Sequence, residues 1–259
     1  MSLLLVDQVC LNLGQKSLLD HISFTLERGE ILAIIGPNGA GKTSLLRAIT
    51  QELVLASGSI RFCGHSLHSL EAQARARQLA VLTQHNPLTF AFTAAEVVAL
   101  SRTPHSTGAK IDADICQQAM QLLDVAHLAE RVYPSLSGGE QQRVQLARVM
   151  AQIWRGEDAG ERLLLLDEPV TSLDIGHQHQ LMQAVRAFAD SGVAVLMVVH
   201  DITLAAAYSD RLLALDEGKT VALGMPEQVV TEALISQLFH TQVTVLPHPV
   251  SGKPVVLGG

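Results

Sequence analysis

The sequence predicts an α/β protein: a parallel sheet covered on both faces, interrupted by a helical insertion. Three observations carry that expectation. The short continuous apolar runs Ile31–Ile35, Leu163–Leu166 and Val193–Val199 suit strands buried on both faces of a parallel sheet. Segments of helical character follow them, as strand–helix–strand units require. Between the first and second runs, residues 93–150 change texture to helical periodicity.

Taken in order, Leu3–Leu13 and Ile22–Leu26 read as strands joined by a turn at Gly14-Gln15-Lys16. A Gly-rich loop follows Ile31–Ile35 and leads into a helix from Lys42 to about Thr50. Ile60–Phe62 and Val81–Thr83 are further strands. In the helical region, Thr93 and Glu96 form a capping-box pattern before Val97, Val98 and Leu100. A second apolar stripe runs through Ile115, Ala119, Leu122 and Leu123. Strand and helix then alternate again: Leu163–Leu166, a helix from about Gln178 to Ala189, Val193–Val199, and a short helix after Asp201. Leu212–Leu215 and Val221–Leu223 read as a closing hairpin, and Pro226 sits where a helix starts. The tail from His248 is expected to be loosely attached or to form an edge strand.

Composition narrows the function classes. With 259 residues, 48% hydrophobic and 17% charged, the chain can bury a full core and is not disordered. A mean hydropathy of +0.27 raises the question of a membrane span, but every apolar run falls far short of the roughly 18–20 residues a spanning helix needs. Asp7 breaks the N-terminal apolar stretch and no basic region precedes it, unlike a signal peptide. Cys10, Cys63 and Cys116 are scattered without a CxxC, as expected of buried or half-buried thiols in a reducing compartment. A net charge of −7 and 3% aromatics disfavour a nucleic-acid partner.

The strongest chemical signal is Gly36-Pro37-Asn38-Gly39-Ala40-Gly41-Lys42-Thr43, an instance of G-x-x-x-x-G-K-[ST] between a buried strand and a helix. With Ser44, these residues form the candidate phosphate-binding segment. The glycines let successive backbone N–H groups turn inward around phosphate oxygens, and the helix N-terminus adds its dipole. Lys42 supplies positive charge to the β- and γ-phosphates, and the Thr43 hydroxyl can ligate Mg²⁺. The run Leu163–Leu166 then delivers Asp167 and Glu168 at a strand's C-terminal end, where ligands of open α/β sheets bind. Asp167 suits the Mg²⁺ sphere, and Glu168 suits polarising an attacking water. A third segment, Leu136-Ser137-Gly138-Gly139-Glu140, pairs Ser137 with Glu140 as a capping box. It reads either as a plain helix start or, because its two glycines expose backbone donors, as an anion site.

Those five residues match the LSGGQ-type signature, and with the other motifs the chain resembles ABC-transporter ATP-binding subunits over nearly its whole length. Gln84 matches the family's glutamine loop, Ser172-Leu173-Asp174 the loop after the catalytic glutamate, and His200 the switch histidine. The resemblance implies one ABC ATPase domain over 1–259. Its parts are a RecA-like parallel core, an N-terminal antiparallel β region and a helical subdomain at about 85–160. It implies ATP hydrolysis with ATP and Mg²⁺. Glu168, His200, Lys42 and Gln84 are then catalytic, Gly36–Ser44 and Ser137–Glu140 bind nucleotide, and Thr43, Gln84 and Asp167 serve the metal. It further implies a head-to-tail homodimer on a separate transmembrane permease dimer, served indirectly by a periplasmic binding protein. Such a subunit works at the cytoplasmic face of a bacterial inner membrane.

The sequence departs from the family pattern in three places. Leu13 stands where many members carry an aromatic residue over adenine. The segment 152–162 is longer than usual and reads as a polar surface loop. Val170 replaces a common Thr. Leu173-Asp174-Ile175-Gly176-His177-Gln178 resembles the corresponding stretch of ATPases serving iron-chelate, cobalamin and haem importers, and the long loop and the tail resemble the haem branch. A siderophore or cobalamin importer and a non-transport ABC ATPase are the alternatives. His65, His68, His85, His105, His127, His177, His179 and His240 are scattered, so haem is not expected on this subunit.

Overall fold

The computed structural model describes residues 2–83 and 90–258. Along the chain these are β1 (Leu4–Leu13), β2 (Lys16–Leu26), β3 (Ile31–Ile35), α1 (Lys42–Ile49), β4 (Ser57–Phe62), β5 (His65–Ser66), α2 (Ala72–Gln78) and β6 (Leu79–Leu82). Next come α3 (Ala94–Ala99), α4 (Ala109–Leu122), α5 (Gly138–Gln152), α6 (Gly156–Ala159), β7 (Leu163–Asp167) and α7 (Ile175–Asp190). The chain closes with β8 (Ala194–Val198), α8 (Ile202–Tyr208), β9 (Arg211–Asp216), β10 (Lys219–Gly224), α9 (Pro226–Val229), α10 (Glu232–Phe239), β11 (Val243–Pro247) and β12 (Pro254–Gly258). They form two compact units, one of residues 1–69 with 194–259 and one of residues 70–193.

In the first unit, an antiparallel sheet runs in the order β2-β1-β4-β5. Beside it in the same unit, β10, β9, β3 and β8 are successive neighbours, with β3 parallel to both β9 and β8. All five residues of β3 and all five of β8 are buried, as their unbroken apolar sequences require. Strand β3 is fixed at its start: the Ile31 N–H donates to the Asp210 carboxylate at 2.7 Å, and Arg211 pairs with Glu30 at 3.0 Å. The C-terminal tail is an ordered hairpin partner, since β12 pairs antiparallel with β11 along its length. The Val256 N–H also donates to Thr203 Oγ1 on α8.

In the second unit, β6 and β7 pair in parallel, and helices α3, α4 and α5 pack together. The Thr93–Glu96 capping box forms at the start of α3. Helix α4 buries Ile115, Cys116, Ala119 and Met120. Leu122, expected in its apolar stripe, is exposed. The buried face is centred near Cys116, Ala119 and Leu123, and Leu122 falls at its edge.

The segment 152–162, expected as a polar surface loop, is anchored to the fold by buried side chains. Ile153 is buried, the Trp154 ring lies 5.5 Å from that of Phe188, and α6 forms within the segment. The buried Arg162 guanidinium donates to the carbonyls of Ile153, Trp154 and Ser191. Its apolar and planar side chains supplied the anchor that its polar composition hid. Among the described residues, no helix is long and apolar enough to cross a membrane.

Candidate functional site

In the first unit, the C-terminal ends of two neighbouring strands set out the chemistry. Ile34 of β3 pairs with Val198 of β8, so Gly36 and His200 each stand two residues beyond a paired position, at the same sheet edge. His200 is exposed there. The loop from Gly36 turns back into α1, with Gly41 as its N-cap in the left-handed region.

Two glycines in this loop leave no room for a side chain. A Cβ on Gly36 would lie 2.1 Å from the Leu215 carbonyl oxygen of β9. One on Gly41, where φ is +100°, would meet the Leu18 carbonyl at 2.8 Å and Leu19 Cδ2 at 3.0 Å. The loop is therefore clamped between β2 and the β9–β10 turn. Gly218 of that turn donates its N–H to the Ala40 carbonyl and accepts from the Asp20 N–H.

Lys42 is buried, and its Nζ donates to the carbonyls of Gly36 and Pro37 at 2.8 and 2.9 Å. The ammonium thus sits inside the curl of the loop. Thr43 is exposed at the second position of α1 and Ser44 is half-buried. Leu13 closes β1 opposite Lys16, with its side chain 66% exposed.

In the second unit, Asp167 is buried at the end of β7, and Glu168 follows with a left-handed backbone, φ +54°. A side chain other than glycine in that region costs about 1–2 kcal/mol, so the surrounding turn must hold it. The Thr171 hydroxyl donates to Glu168 Oε2 at 3.3 Å, and the Thr171 N–H to the Glu168 carbonyl.

Ser137 caps α5, and both halves of the capping box are made: Ser137 Oγ accepts from the Glu140 N–H, and Glu140 Oε2 from the Ser137 N–H at 2.7 Å. The Ser137 backbone N–H above all, then its hydroxyl, holds the Glu140 carboxyl below the usual carboxylate range. Gly138 is exposed. Gly139 packs against the loop after the acidic pair, where a Cβ would lie 3.0 Å from Leu173 Cδ2. Asp174 caps α7, accepting from the His177 N–H at 2.9 Å. The structural reading of the Ser137 segment as a helix cap is thus realised, and the open Gly138 surface is compatible with the second reading. Gln84 lies outside the described residues.

Nothing local in the sequence marks the bracing contacts. Leu18, Leu215 and Gly218 hold the Gly36–Thr43 loop through backbone atoms, and Gln142 reaches Pro169 through its amide. The turn between β9 and β10 carries Gly218, and nothing in its sequence points to the loop it supports.

Residues 19–171 match the family model described as ABC transporter. This chain belongs to the ABC transporter family. It is an ATP-hydrolysing member of it, and full-length relatives agree. The hemin import ATP-binding protein HmuV of Pseudomonas entomophila (strain L48) is 48% identical over 252 residues, spanning 97% of this chain and 98% of the relative. The protein of the same description from Gloeobacter violaceus (strain ATCC 29082 / PCC 7421) is 47% identical over 247 residues, covering 95% and 90%. Among solved structures, an inward-facing metal-chelate type ABC transporter matches with a TM-score of 0.83 at 23% identity, over 100% of this chain and 98% of that one. An ATP-binding cassette in its ADP conformation matches with a TM-score of 0.78 at 21% identity, over 93% and 98%. At such identities the structural matches establish the ABC ATPase fold alone.

Proposed function

We propose that this ABC transporter chain is the ATPase of a haem importer, acting as a homodimer beneath a separate transmembrane permease. The observation that carries the cargo is the 48% identity, over nearly the whole chain, to a protein described as a hemin import ATP-binding protein. The Leu173–Gln178 stretch at the start of α7, which resembles ATPases of iron-chelate, cobalamin and haem importers, fits the same wider group. The working location is the cytoplasmic face of a bacterial inner membrane, with a periplasmic binding protein delivering cargo. Residues 1–259 are one ATPase domain, with the helical insertion at about 85–160.

ATP is held by the backbone donors of Gly36–Ser44. Lys42 exchanges its two carbonyl partners for phosphate oxygens. Thr43 and Asp167 offer a hydroxyl and a carboxylate, hard oxygen donors of the kind Mg²⁺ prefers, and Gln84 joins them. Mg²⁺, when bound, neutralises phosphate charge during transfer. Glu168 orients and polarises the attacking water, and His200 contacts the γ-phosphate. Ser137, Gly138, Gly139 and Glu140 of the opposite subunit close over the same nucleotide, and loss of the γ-phosphate lets the pair part.

The permease docks on the stretch from His85 to Arg102. Phe90 and Leu100 are 67% and 44% exposed there, whereas Val97, Val98 and Arg102 are buried and belong to the fold. The test is reconstitution with a haem permease in liposomes. ATP-driven haem uptake is expected, abolished by Lys42→Ala and uncoupled from basal ATPase by Phe90→Ser with Leu100→Ser. Uptake of cobalamin or a ferric siderophore in place of haem would reassign the cargo.

A further inference from the structure

We propose that Cys10, Asp20 and His21 form a binding site for a borderline transition-metal dication of the Zn²⁺ type, separate from the residues assigned to ATP. Cys10 lies on β1, and Asp20 and His21 are consecutive on β2. Consecutive side chains of a regular strand point to opposite faces, so Asp20 and His21 could not share a ligand there. The pairing is not regular at this point. Val9 faces Ile22 and Leu11 faces Leu19, which leaves the single residue Cys10 opposite the two residues Asp20 and His21. This is a β-bulge, and His21 takes a left-handed backbone, φ +54°, within it.

The bulge gathers three different donors. One ligand atom from each of Cys10, Asp20 and His21 lies within 4.8 Å of the other two. His21 Nδ1 is 2.6 Å from Asp20 Oδ1, and the His21 backbone N–H donates to Cys10 Sγ at 3.3 Å. Metal–ligand bonds of about 2.0–2.3 Å in a tetrahedron separate donors by about 3.3–3.8 Å, so small side-chain rotations complete the set. His21 is exposed and Cys10 half-buried, which leaves room for those rotations and a path for the ion. Sulfur, imidazole and carboxylate together select Zn²⁺, Co²⁺ or Ni²⁺ over Mg²⁺ and Ca²⁺, with a fourth position left to water. Binding releases the Cys10 thiol proton to solvent as the sulfur–metal bond forms. Lys219 Nζ, 3.5 Å from Asp20 Oδ2, is the resident cation that the metal must outcompete.

Co²⁺ titration of the full-length, tag-free protein tests this, read by thiolate-to-cobalt charge-transfer absorption. One equivalent of Co²⁺ should produce the band, Zn²⁺ should bleach it, and a large excess of Mg²⁺ should leave it. Cys10→Ser should abolish the band and His21→Ala should weaken cobalt binding by more than about tenfold. Lys219→Ala, which removes the competing charge beside the Asp20 carboxylate, should tighten it by up to about tenfold. Unchanged circular dichroism and ATP affinity in Cys10→Ser will show that the variant is folded. No band in the wild type, a band surviving Cys10→Ser, or displacement by Mg²⁺ would each overturn the site.

Discussion

The side-chain amide of Gln142 donates to the carbonyl oxygen of Pro169 at 3.1 Å, so the helix begun by the Ser137 cap is tied to the turn that follows Glu168. Gly139 against Leu173 adds a second contact between the same two segments. Both lie in one unit and join the segment that starts at Ser137 to the turn where Glu168 takes its left-handed conformation. Gln142→Leu removes the bond and leaves the Pro169 carbonyl without this donor. A loss of about 1 kcal/mol in unfolding free energy is expected. On the proposed roles, turnover should fall severalfold with ATP affinity little changed, because the contact braces the turn after Glu168 and not the Gly36–Thr43 loop. Urea unfolding and steady-state ATPase assays check the two halves.

Gly36 has the tightest surroundings of the glycines in the Gly36–Thr43 loop. Gly36→Ala places a Cβ 2.1 Å from the Leu215 backbone carbonyl of β9, which cannot swing aside like a side-chain end. Destabilisation of about 3 kcal/mol or more is expected, with loss of ATP binding. Gly39→Ala is the control: φ is positive there too, but nothing lies within 4 Å of the added Cβ, so its cost is limited to backbone strain of about 1 kcal/mol. Equal effects of the two substitutions would contradict this reading.

Arg102 in the second unit is buried with its Nε 2.8 Å from Asp112, while Asp158 lies 3.6 Å from its Nη2. Burial alone pushes the Asp112 carboxyl up. The Thr107 hydroxyl and Arg102 outweigh it, holding the group below the usual carboxylate range. A carboxyl with a depressed folded value stabilises the fold above its unfolded pKa, about 3.9, and that stability is lost as pH falls through the folded value. Asp112→Asn should cost about 2 kcal/mol at neutral pH, short of a fully buried pair because Asp112 keeps 25% of its side chain exposed. The variant's stability should also fall less steeply below about pH 4. Thermal unfolding from pH 7 down to pH 3 checks both.

Much of this was legible in the sequence because it is local. The unbroken apolar runs gave β3, β7 and β8, and the G-x-x-x-x-G-K-T spacing gave the loop around Lys42. The Thr93/Glu96 and Ser137/Glu140 spacings gave two capping boxes that form as expected. What escaped depends on partners distant in the chain. Leu215 limits Gly36, Arg162 anchors the 152–162 segment, and a register slip between β1 and β2 brings Cys10 to Asp20 and His21. None of these leaves a periodic trace. Leu122 fits the helical period but misses the buried face, because period fixes direction and not where the partner helices lie.

Leu13 offers no aromatic face to adenine, and a stacked aromatic is worth roughly 1–3 kcal/mol per base. GTP is therefore expected to compete with ATP within about tenfold, or roughly 1.4 kcal/mol. Leu13→Tyr should tighten ATP binding while leaving the maximal rate nearly unchanged, since it adds binding remote from the γ-phosphate. Lys16, directly across the turn, is the competing candidate to cover the base with its alkyl stem. Titrations with ATP and GTP decide it: strong ATP preference in the wild type and no gain in Leu13→Tyr would remove Leu13 from the base site.

The most direct test of the proposed mechanism is Glu168→Gln examined with ATP and Mg²⁺, for turnover and oligomeric state together. The substitution keeps shape while removing the carboxylate that polarises water, a loss on the order of 10²–10⁴ in rate for such groups. The variant should bind ATP as the wild type does, lose at least about a hundredfold in hydrolysis, and elute as a stable dimer, whereas Lys42→Ala should bind poorly and remain monomeric. Near-wild-type hydrolysis by Glu168→Gln, or a monomer that holds ATP without pairing, would contradict it.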